Sequence, residues 1–170
     1  ETNDLPRILN DAYEISMSDR PGPVLVDIPM DIQKEEVELR CMEDRPAKFT
    51  PCKKVFGYLD ELKIALLDSK RPLILAGGGI RCARMEPDFL DLVKKLGVPV
   101  VHSLMGVDLL PYAHPLRIGM IGTYGNRWAN DAMMESDFIL VLGSRLDVRQ
   151  TGADAASISN GRKIFHYIKY

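Results

Sequence analysis

Four short segments carry the residue types that can hold a nucleotide. They read AGGG at 76–79, HSLMG at 102–106, GMIGTYGN at 119–126 and GSRLDVRQTG at 143–152. Glycines allow a backbone to approach a phosphate closely. In the last segment, Arg145 and Arg149 can pair with phosphates or a ribityl chain, and Asp147 can accept a hydrogen bond from a ribose or an adenine edge. The residue types therefore predict a nucleotide cleft.

Each of these segments also has an interpretation that needs no ligand. The run at 77–79 lacks the G-x-G-x-x-G spacing of dinucleotide-binding folds, so it equally fits a tight turn between a strand and a helix. Glycines at intervals of three in 119–126 are equally typical of turns in a long loop. Arg145, Asp147 and Arg149 can also form a surface ion pair. Both interpretations stay open for every segment.

The histidines and the common catalytic motifs do not support nucleophilic or metal chemistry. His102 ends an apolar run and is predicted to be a core residue with satisfied hydrogen bonds, whereas His114 precedes Pro115 and is predicted to lie in a loop. His166 ends the last apolar run, where a ligand role stays open. The sequence contains no G-x-S-x-G, Walker or H-E-x-x-H motif.

The charge and cysteine content limit the binding partners and the cellular compartment that the sequence predicts. The 170 residues include 22 Lys and Arg against 24 Asp and Glu without a block of like charge, which predicts no nucleic acid partner. The apolar runs are far shorter than the roughly 18 residues that span a bilayer, so no membrane partner is predicted. Cys41, Cys52 and Cys82 lack C-x-x-C spacing, which predicts free thiols in a reducing cytoplasm and no structural zinc.

The elements around these segments must position them, and the hydrophobic pattern predicts an alternation of helices and strands. Apolar stripes at spacings of three and four predict helices that include residues 59–66, 89–96 and 127–135. Short apolar runs predict strands at residues 72–76, 98–102, 138–142 and 163–168. This alternation indicates an α/β fold with a parallel sheet, in which the loops leaving the strands' carboxyl ends share one ligand-binding edge.

The first fifty residues follow a different pattern. An apolar stripe within residues 5–13 predicts a helix that ends before Pro21, and VLVDI at 24–28 predicts a buried strand. Residues 30–50 are charged and weakly patterned, which is typical of a linker, with one short strand at 37–39. We therefore predict a domain boundary in this linker.

Six motifs, taken in order, resemble the thiamine-diphosphate-dependent enzymes of the acetolactate synthase group. They are RPGPVLVDIPMDIQ, RPLILAGGGI, GVPVVHSLMG, HPLRIGMIGTYGN, ESDFILVLGSRLDVRQTG and KIFHYI. The resemblance implies that residues 1–29 are the tail of a pyrimidine-binding domain, 30–50 a linker and 51–170 a central domain. It implies for that domain a three-layer αβα fold with a six-stranded parallel Rossmann-like sheet, which in the family binds FAD, ADP or nothing.

The same resemblance implies the chemistry of a longer parent enzyme. Such a parent uses thiamine diphosphate and Mg²⁺ to decarboxylate a 2-keto acid and join the product to an acceptor, as in branched-chain amino acid biosynthesis. It is implied to be a homodimer or homotetramer. The catalytic glutamate and the GDG…N segment of the family match no residue here, so we expect this chain alone to be inactive.

Carried over position by position, the resemblance places the family's FAD contacts in the same four segments and in the DRPGP turn. The implied cofactor-binding residues are Arg20, Gly77, Gly78, Ser103, Leu104, Ile121, Gly122, Thr123, Tyr124, Gly143, Arg145, Asp147 and Arg149. No residue of this chain is implied to be catalytic or to ligate a metal.

At several positions the residue of this chain differs from that of the true acetohydroxyacid synthases. Those enzymes carry Lys at the position of Met30, Met-His at the positions of Thr123-Tyr124 and Asp at the position of Val148. These positions border the channel to the active site in the family. The family's HIDID ending is HYIKY in this chain. The departures imply a relative with a changed channel, whose cleft holds FAD, ADP or nothing. Two rival hypotheses remain, a stand-alone nucleotide-binding module of the NAD-binding kind and a structural domain without a ligand.

Overall fold

A computed structural model describes residues 2–18, 21–37, 57–153, 156–159 and 161–168. The chain divides into two units, Glu1–Lys53 and Lys54–Tyr170. Arg20 belongs to the first unit and lies outside the described residues, whereas every other predicted site residue belongs to the second.

The first unit contains two helices joined by an extended segment. A 3₁₀ turn at Thr2–Asp4 leads into helix α1 (Leu5–Met17), whose first turn includes Pro6, where the missing N–H of proline costs no hydrogen bond. Helix α2 (Met30–Lys34) follows within the segment predicted as a linker. A mainly apolar groove in this unit is lined by Leu5, Ile8, Val26, Asp27, Ile28, Pro29 and Ile32.

The strand predicted at 24–28 does not form. Residues 21–29 run without regular structure, and no described segment pairs with them. A β-branched run becomes a strand only when a neighbouring strand takes up its N–H and C=O groups, which an apolar pattern alone does not guarantee. Leu25 is accordingly 94% exposed. The strand predicted at 37–39 lies largely outside the described residues.

The second unit alternates helices and strands, as the hydrophobic pattern predicts. Its described helices are α3 (Leu59–Asp68), α4 (Gly79–Cys82), α5 (Glu86–Leu96), α6 (Arg127–Glu135), α7 (Val148–Thr151) and α8 (Ala156–Ser159). Its strands are β1 (Pro72–Ala76), β2 (Val100–His102), β3 (Arg117–Met120), β4 (Phe138–Leu142) and β5 (Lys163–Tyr167). The predictions for α6, β1 and β4 are confirmed to the residue.

The five strands form one parallel sheet in the order β3-β2-β1-β4-β5. At its centre, Ile74 of β1 pairs with Val100 of β2 and with Leu140 of β4. The α/β fold class is confirmed, but the described residues supply five strands where six are predicted. Strand β3 is not predicted from the sequence, because its residues RIGM include a charged residue and a glycine and lack a continuous apolar run.

Asn126 and Trp128, in the segment that follows β3, cover the outer edge of that strand. The Met120 N–H donates to Asn126 Oδ1 at 3.1 Å, and the Asn126 N–H donates to the Met120 carbonyl at 2.7 Å. The Trp128 Nε1–H donates to the Ile118 carbonyl at 3.0 Å. These contacts occupy backbone groups that would otherwise be free to pair with another strand.

Helices lie on both faces of the sheet and create two apolar clusters. Alternate residues of β1 point to opposite faces, so Ile74 joins Phe89 of α5 and Phe138 in one cluster, whereas Leu75 joins Met133 of α6 in the other. Burial on both faces explains why the central strands are continuous apolar runs. The three-layer αβα arrangement is therefore confirmed.

The strand order reverses between β1 and β4, because β2 and β3 lie on one side of β1 whereas β4 and β5 lie on the other. In such sheets, ligands bind in the crevice outside the carboxyl ends of the strands at the reversal. The loops that leave these two strands begin at Gly77 and Gly143. The topology therefore selects two of the four segments that carry candidate residues.

Candidate functional site

Every predicted site residue other than Arg20 lies in a segment that follows the carboxyl end of a strand. Gly77 and Gly78 follow β1, Ser103 and Leu104 follow β2, Ile121, Gly122, Thr123 and Tyr124 follow β3, and Gly143, Arg145, Asp147 and Arg149 follow β4. Since all five strands are parallel, these segments share one edge of the sheet. We call residues 143–152, which carry both arginines, the arginine loop.

The loop after β1 and the arginine loop are in direct backbone contact. The Gly77 N–H donates to the Leu142 carbonyl at 2.8 Å, and the Gly79 N–H donates to the Gly143 carbonyl at 2.9 Å. A side chain at Gly77 would collide with the Gly143 carbonyl, and a Cβ atom at Gly143 would stand 2.6 Å from the Ile80 nitrogen. These glycines permit the packing of one loop on the other and leave no open cradle between them for a phosphate.

The loop after β2 closes over the end of β1. The Ser103 N–H donates to the Ala76 carbonyl at 2.9 Å, and Ser103 is buried. A Cβ atom at Gly106 would stand 2.6 Å from the same carbonyl oxygen. Leu104 and Met105, in contrast, are exposed. The polar part of this loop is therefore used internally, and its apolar side chains face solvent.

The segment between β3 and α6 is tied to the arginine loop. The Thr123 N–H and hydroxyl both donate to the Arg149 carbonyl, at 2.9 and 3.3 Å. Gly122 has φ 97, and a Cβ atom there would stand 2.6 Å from the same carbonyl oxygen. Ile121 is buried in the core, whereas Tyr124 is 80% exposed. Of this segment's predicted residues, Thr123 and Tyr124 are thus exposed at the surface.

Arg145 and Arg149 are exposed, and neither forms an ion pair with any residue that the structure describes. Asp147 lies between them, but one of its oxygens accepts the Arg149 backbone N–H at 3.0 Å and so caps α7. The surface ion pair considered from the sequence is therefore not formed. Two exposed guanidinium groups beside the strand reversal, with no ion pair to a described residue, suit an anionic group such as a diphosphate.

The prediction for His102 is confirmed for burial and wrong for its hydrogen bonds. His102 is fully buried, yet neither ring nitrogen has a hydrogen-bond partner among the described residues. Burial, and after it the positive charge of Arg117, lowers the pKa of His102 to about 4. The ring is therefore neutral at physiological pH, and its unsatisfied nitrogens lower the stability of the fold.

Two side chains that the sequence analysis does not assign to the site hold the arginine loop. The Ser144 hydroxyl donates to Gln150 Oε1 at 2.6 Å, and His166 Nε2 lies 2.6 Å from the Ser144 carbonyl oxygen. The Ser144–Gln150 contact has no sequence motif that would reveal it. His166 is marked only by its place at the end of the last apolar run, because its contact depends on the pairing of β4 with β5.

A metal site and a membrane-spanning helix would each require features that the described ranges do not contain. These residues include no group of three or more His, Cys, Asp or Glu that could hold a metal ion. None of the helices in the same ranges is both long and apolar enough to cross a bilayer. Cys82 is a free, exposed thiol, whereas Cys41 and Cys52 lie outside the described residues.

A parallel sheet that reverses between its central strands, with helices on both faces, defines a doubly wound α/β domain of the nucleotide-binding type. Comparison with known families gives the assignment within this class. The family model described as "Thiamine pyrophosphate enzyme, central domain" matches residues 59–167. The chain belongs to this family, which confirms the resemblance carried by the six motifs.

Three relatives illustrate the similarity. The acetolactate synthase large subunit of Lactococcus lactis subsp. lactis (strain IL1403) is 40% identical over 162 residues, covering 94% of this chain and 28% of that protein. The probable acetolactate synthase large subunit of Methanococcus aeolicus is 36% identical over 174 residues, covering 98% and 28%. The acetolactate synthase isozyme 1 large subunit of Escherichia coli (strain K12) is 34% identical over 163 residues, covering 96% and 28%. The chain thus spans little more than a quarter of these relatives.

Proposed function

We propose that this chain is the middle part of a longer enzyme that decarboxylates a 2-keto acid and joins the product to an acceptor carbonyl. The observation that carries the proposal is the match of residues 59–167 to the central domain of thiamine pyrophosphate enzymes. Thiamine diphosphate supplies the electron sink for such a decarboxylation. We assign its site, and that of Mg²⁺, to parts of the parent outside this chain, since the family's catalytic glutamate and GDG…N segment have no counterpart here.

The proposed domain division follows the family pattern. We assign residues 1–29 to the end of a pyrimidine-binding domain, 30–50 to a linker and 51–170 to the central domain. The division of the chain between Lys53 and Lys54, and the start of the family match at residue 59, support a boundary near the end of the linker. We further propose a homodimeric or homotetrameric parent in the cytoplasm, on the resemblance and on the odd number of cysteines.

Within the parent, we assign the arginine loop to the diphosphate of a nucleotide, FAD or ADP. The exposure of Arg145 and Arg149, their lack of ion pairs with described residues and their place at the strand reversal support this assignment. A second candidate is a ligand-free scaffold. The close packing of Gly77 and Gly143 favours it, because these glycines leave no backbone cradle at the point where the two loops meet.

Calorimetric titration of ADP and FAD into the full-length parent distinguishes the two candidates. If the arginines hold the diphosphate, the double variant R145A/R149A weakens ADP binding by at least about tenfold, since hydrogen bonds to charged groups contribute roughly 1.5–3 kcal/mol each. The variant R71A is the matched control, because Arg71 is exposed next to the amino end of β1, at the opposite edge of the sheet. If the wild-type parent binds neither nucleotide, the remaining candidate is that this edge of the sheet is a ligand-free scaffold.

Activity of the parent is tested separately. We expect release of CO₂ from 2-keto acids that depends on added thiamine diphosphate and Mg²⁺. Met30, Thr123, Tyr124 and Val148 differ from the acetohydroxyacid synthases, so a panel of 2-keto acids is the appropriate substrate set. Absence of cofactor-dependent CO₂ release across the panel would contradict the proposed reaction without bearing on ADP binding.

A further inference from the structure

One residue of the arginine loop has an unfavourable backbone conformation. Leu146, directly after Arg145, has φ 51, in the left-handed region where a residue with a Cβ atom is strained. Its side chain packs against the core cluster that includes Ile139 and Val141. A strained residue persists only when surrounding contacts hold it in place. The conformation of the arginine loop therefore depends on the contacts that support it.

Some supports come from within the loop. The Ser144 hydroxyl donates to Gln150 Oε1 at 2.6 Å, and Asp147 Oδ1 accepts the Arg149 N–H at 3.0 Å. These contacts join residues that are at most six positions apart. They shape the loop locally, but they do not attach it to the sheet.

His166 supplies a side-chain contact from the sheet itself. Its Nε2 lies 2.6 Å from the Ser144 carbonyl oxygen. A carbonyl can only accept, so Nε2 carries the hydrogen and His166 is the donor. One position away, the Gly143 N–H donates to the Tyr167 carbonyl at 2.9 Å. The end of β5 thus holds the peptide unit immediately before Arg145.

We infer that His166 is a positioning residue for the arginine loop: it fixes the backbone that presents Arg145 and Arg149, and it thereby sets the affinity of that loop for a diphosphate. The first part rests on the geometry alone. The second part rests on the proposed nucleotide function. His166 itself touches neither arginine in any contact seen among the described residues, so its effect passes through the Ser144 carbonyl.

Three variants of the full-length parent separate this role from a general effect on β5. H166A removes the donor, and H166Q keeps an N–H donor at a similar distance from the backbone. K163A is the matched control, because Lys163 is an exposed residue of the same strand whose side chain makes no hydrogen bond or ion pair with a described residue. Urea unfolding of all three verifies that they remain folded.

The first readout is cleavage by trypsin after Arg145 and Arg149 without nucleotide, mapped by mass spectrometry. H166A should be cleaved roughly fivefold faster, the increase in the open population that loss of one ordinary hydrogen bond produces. H166Q should restore most of the protection, and K163A should behave as wild type. Cleavage of H166A at the wild-type rate would overturn the inference, whatever the result with nucleotide.

The second readout is the Kd for ADP, measured by calorimetry. We expect H166A to weaken binding by about fivefold, with H166Q and K163A close to wild type. Faster cleavage together with an unchanged Kd would overturn the link between loop position and affinity. Faster cleavage in H166A, combined with no ADP binding by the wild type, would support the loop-holding role and reject the proposed nucleotide function.

Discussion

His102 ends β2 inside the core, and both of its ring nitrogens are buried without a partner in the part of the chain that the structure describes. An unsatisfied buried polar group costs about 1–3 kcal/mol, and an apolar side chain of similar size avoids that cost. We therefore expect H102L to raise the free energy of unfolding at pH 7 by about 1–3 kcal/mol, measured by urea titration. A less stable H102L would show that the ring nitrogens have partners that the structure does not contain.

The same substitution should change the pH dependence of stability. The pKa of His102 is about 4 in the folded state against an ordinary 6.5, so between these values the unfolded chain binds a proton that the folded chain does not. Stability of the wild type therefore falls as the pH drops from 6.5 towards 4. H102L lacks this contribution, and its stability should fall less steeply over that window. Equal slopes for the two proteins would contradict a neutral buried ring.

Asp137 joins two elements at the amino edge of the sheet. Its carboxylate accepts the Ser69 hydroxyl and the backbone N–H groups of Lys70 and Arg71, the latter two at 2.9 and 3.0 Å. It therefore links the start of β4 to the turn between α3 and β1. The hydrogen bond from Ser69 is the largest cause of the low pKa of Asp137, about 2 against the ordinary 3.8.

The variant D137N tests the contribution of this carboxylate to stability. Because the folded-state pKa is depressed, the carboxylate contributes stability above pH 3.8 that is lost as the pH falls towards 2. We expect D137N to lower Tm at pH 7, and the gap from wild type to narrow between pH 4 and pH 2, as followed by circular dichroism. D131N, at an exposed carboxylate of α6, is the control. A gap that stays constant with pH would contradict the role of the charge.

The regular elements show which parts of the fold are predictable. Periodicity identifies α6, β1 and β4 to the residue, because each is an amphipathic stripe or a continuous buried run. It fails at 24–28, where the apolar run lacks a pairing partner among the described residues, and at β3, where an edge strand carries a charge and a glycine. Strand formation depends on neighbours that are distant in sequence, and a local pattern does not contain them.

Among the residues that the structure describes, the buried apolar clusters lie in one of the two units of the chain. Both core clusters consist of residues within Lys54–Tyr170. We therefore expect a chain truncated to residues 54–170 to unfold cooperatively in urea, with a midpoint close to that of the 170-residue chain. Loss of cooperative unfolding in the truncated chain would show that the sheet requires residues 1–53.

The sequence predicts where the candidate residues lie in the fold better than it predicts what each of them does. The strands predicted before three of the four segments are present and parallel, since strand direction follows from the alternation of helices and strands, whereas β3, which precedes the fourth segment, is not predicted. The motifs do not reveal that Gly77 packs on Gly143, or that Asp147 caps a helix. Such roles depend on how closely one loop approaches another, which residue types do not encode.

Trp128 gives the carboxyl-edge loops an optical reporter. It is the chain's single tryptophan, it is 61% exposed, and its indole N–H is bound to the Ile118 carbonyl on the outer edge of β3. Indole fluorescence responds to hydration and hydrogen bonding of the ring. Emission from this chain therefore reports on one defined place, beside the segment that contains Thr123 and Tyr124, and a change in wavelength during a titration can be assigned to that place without a label.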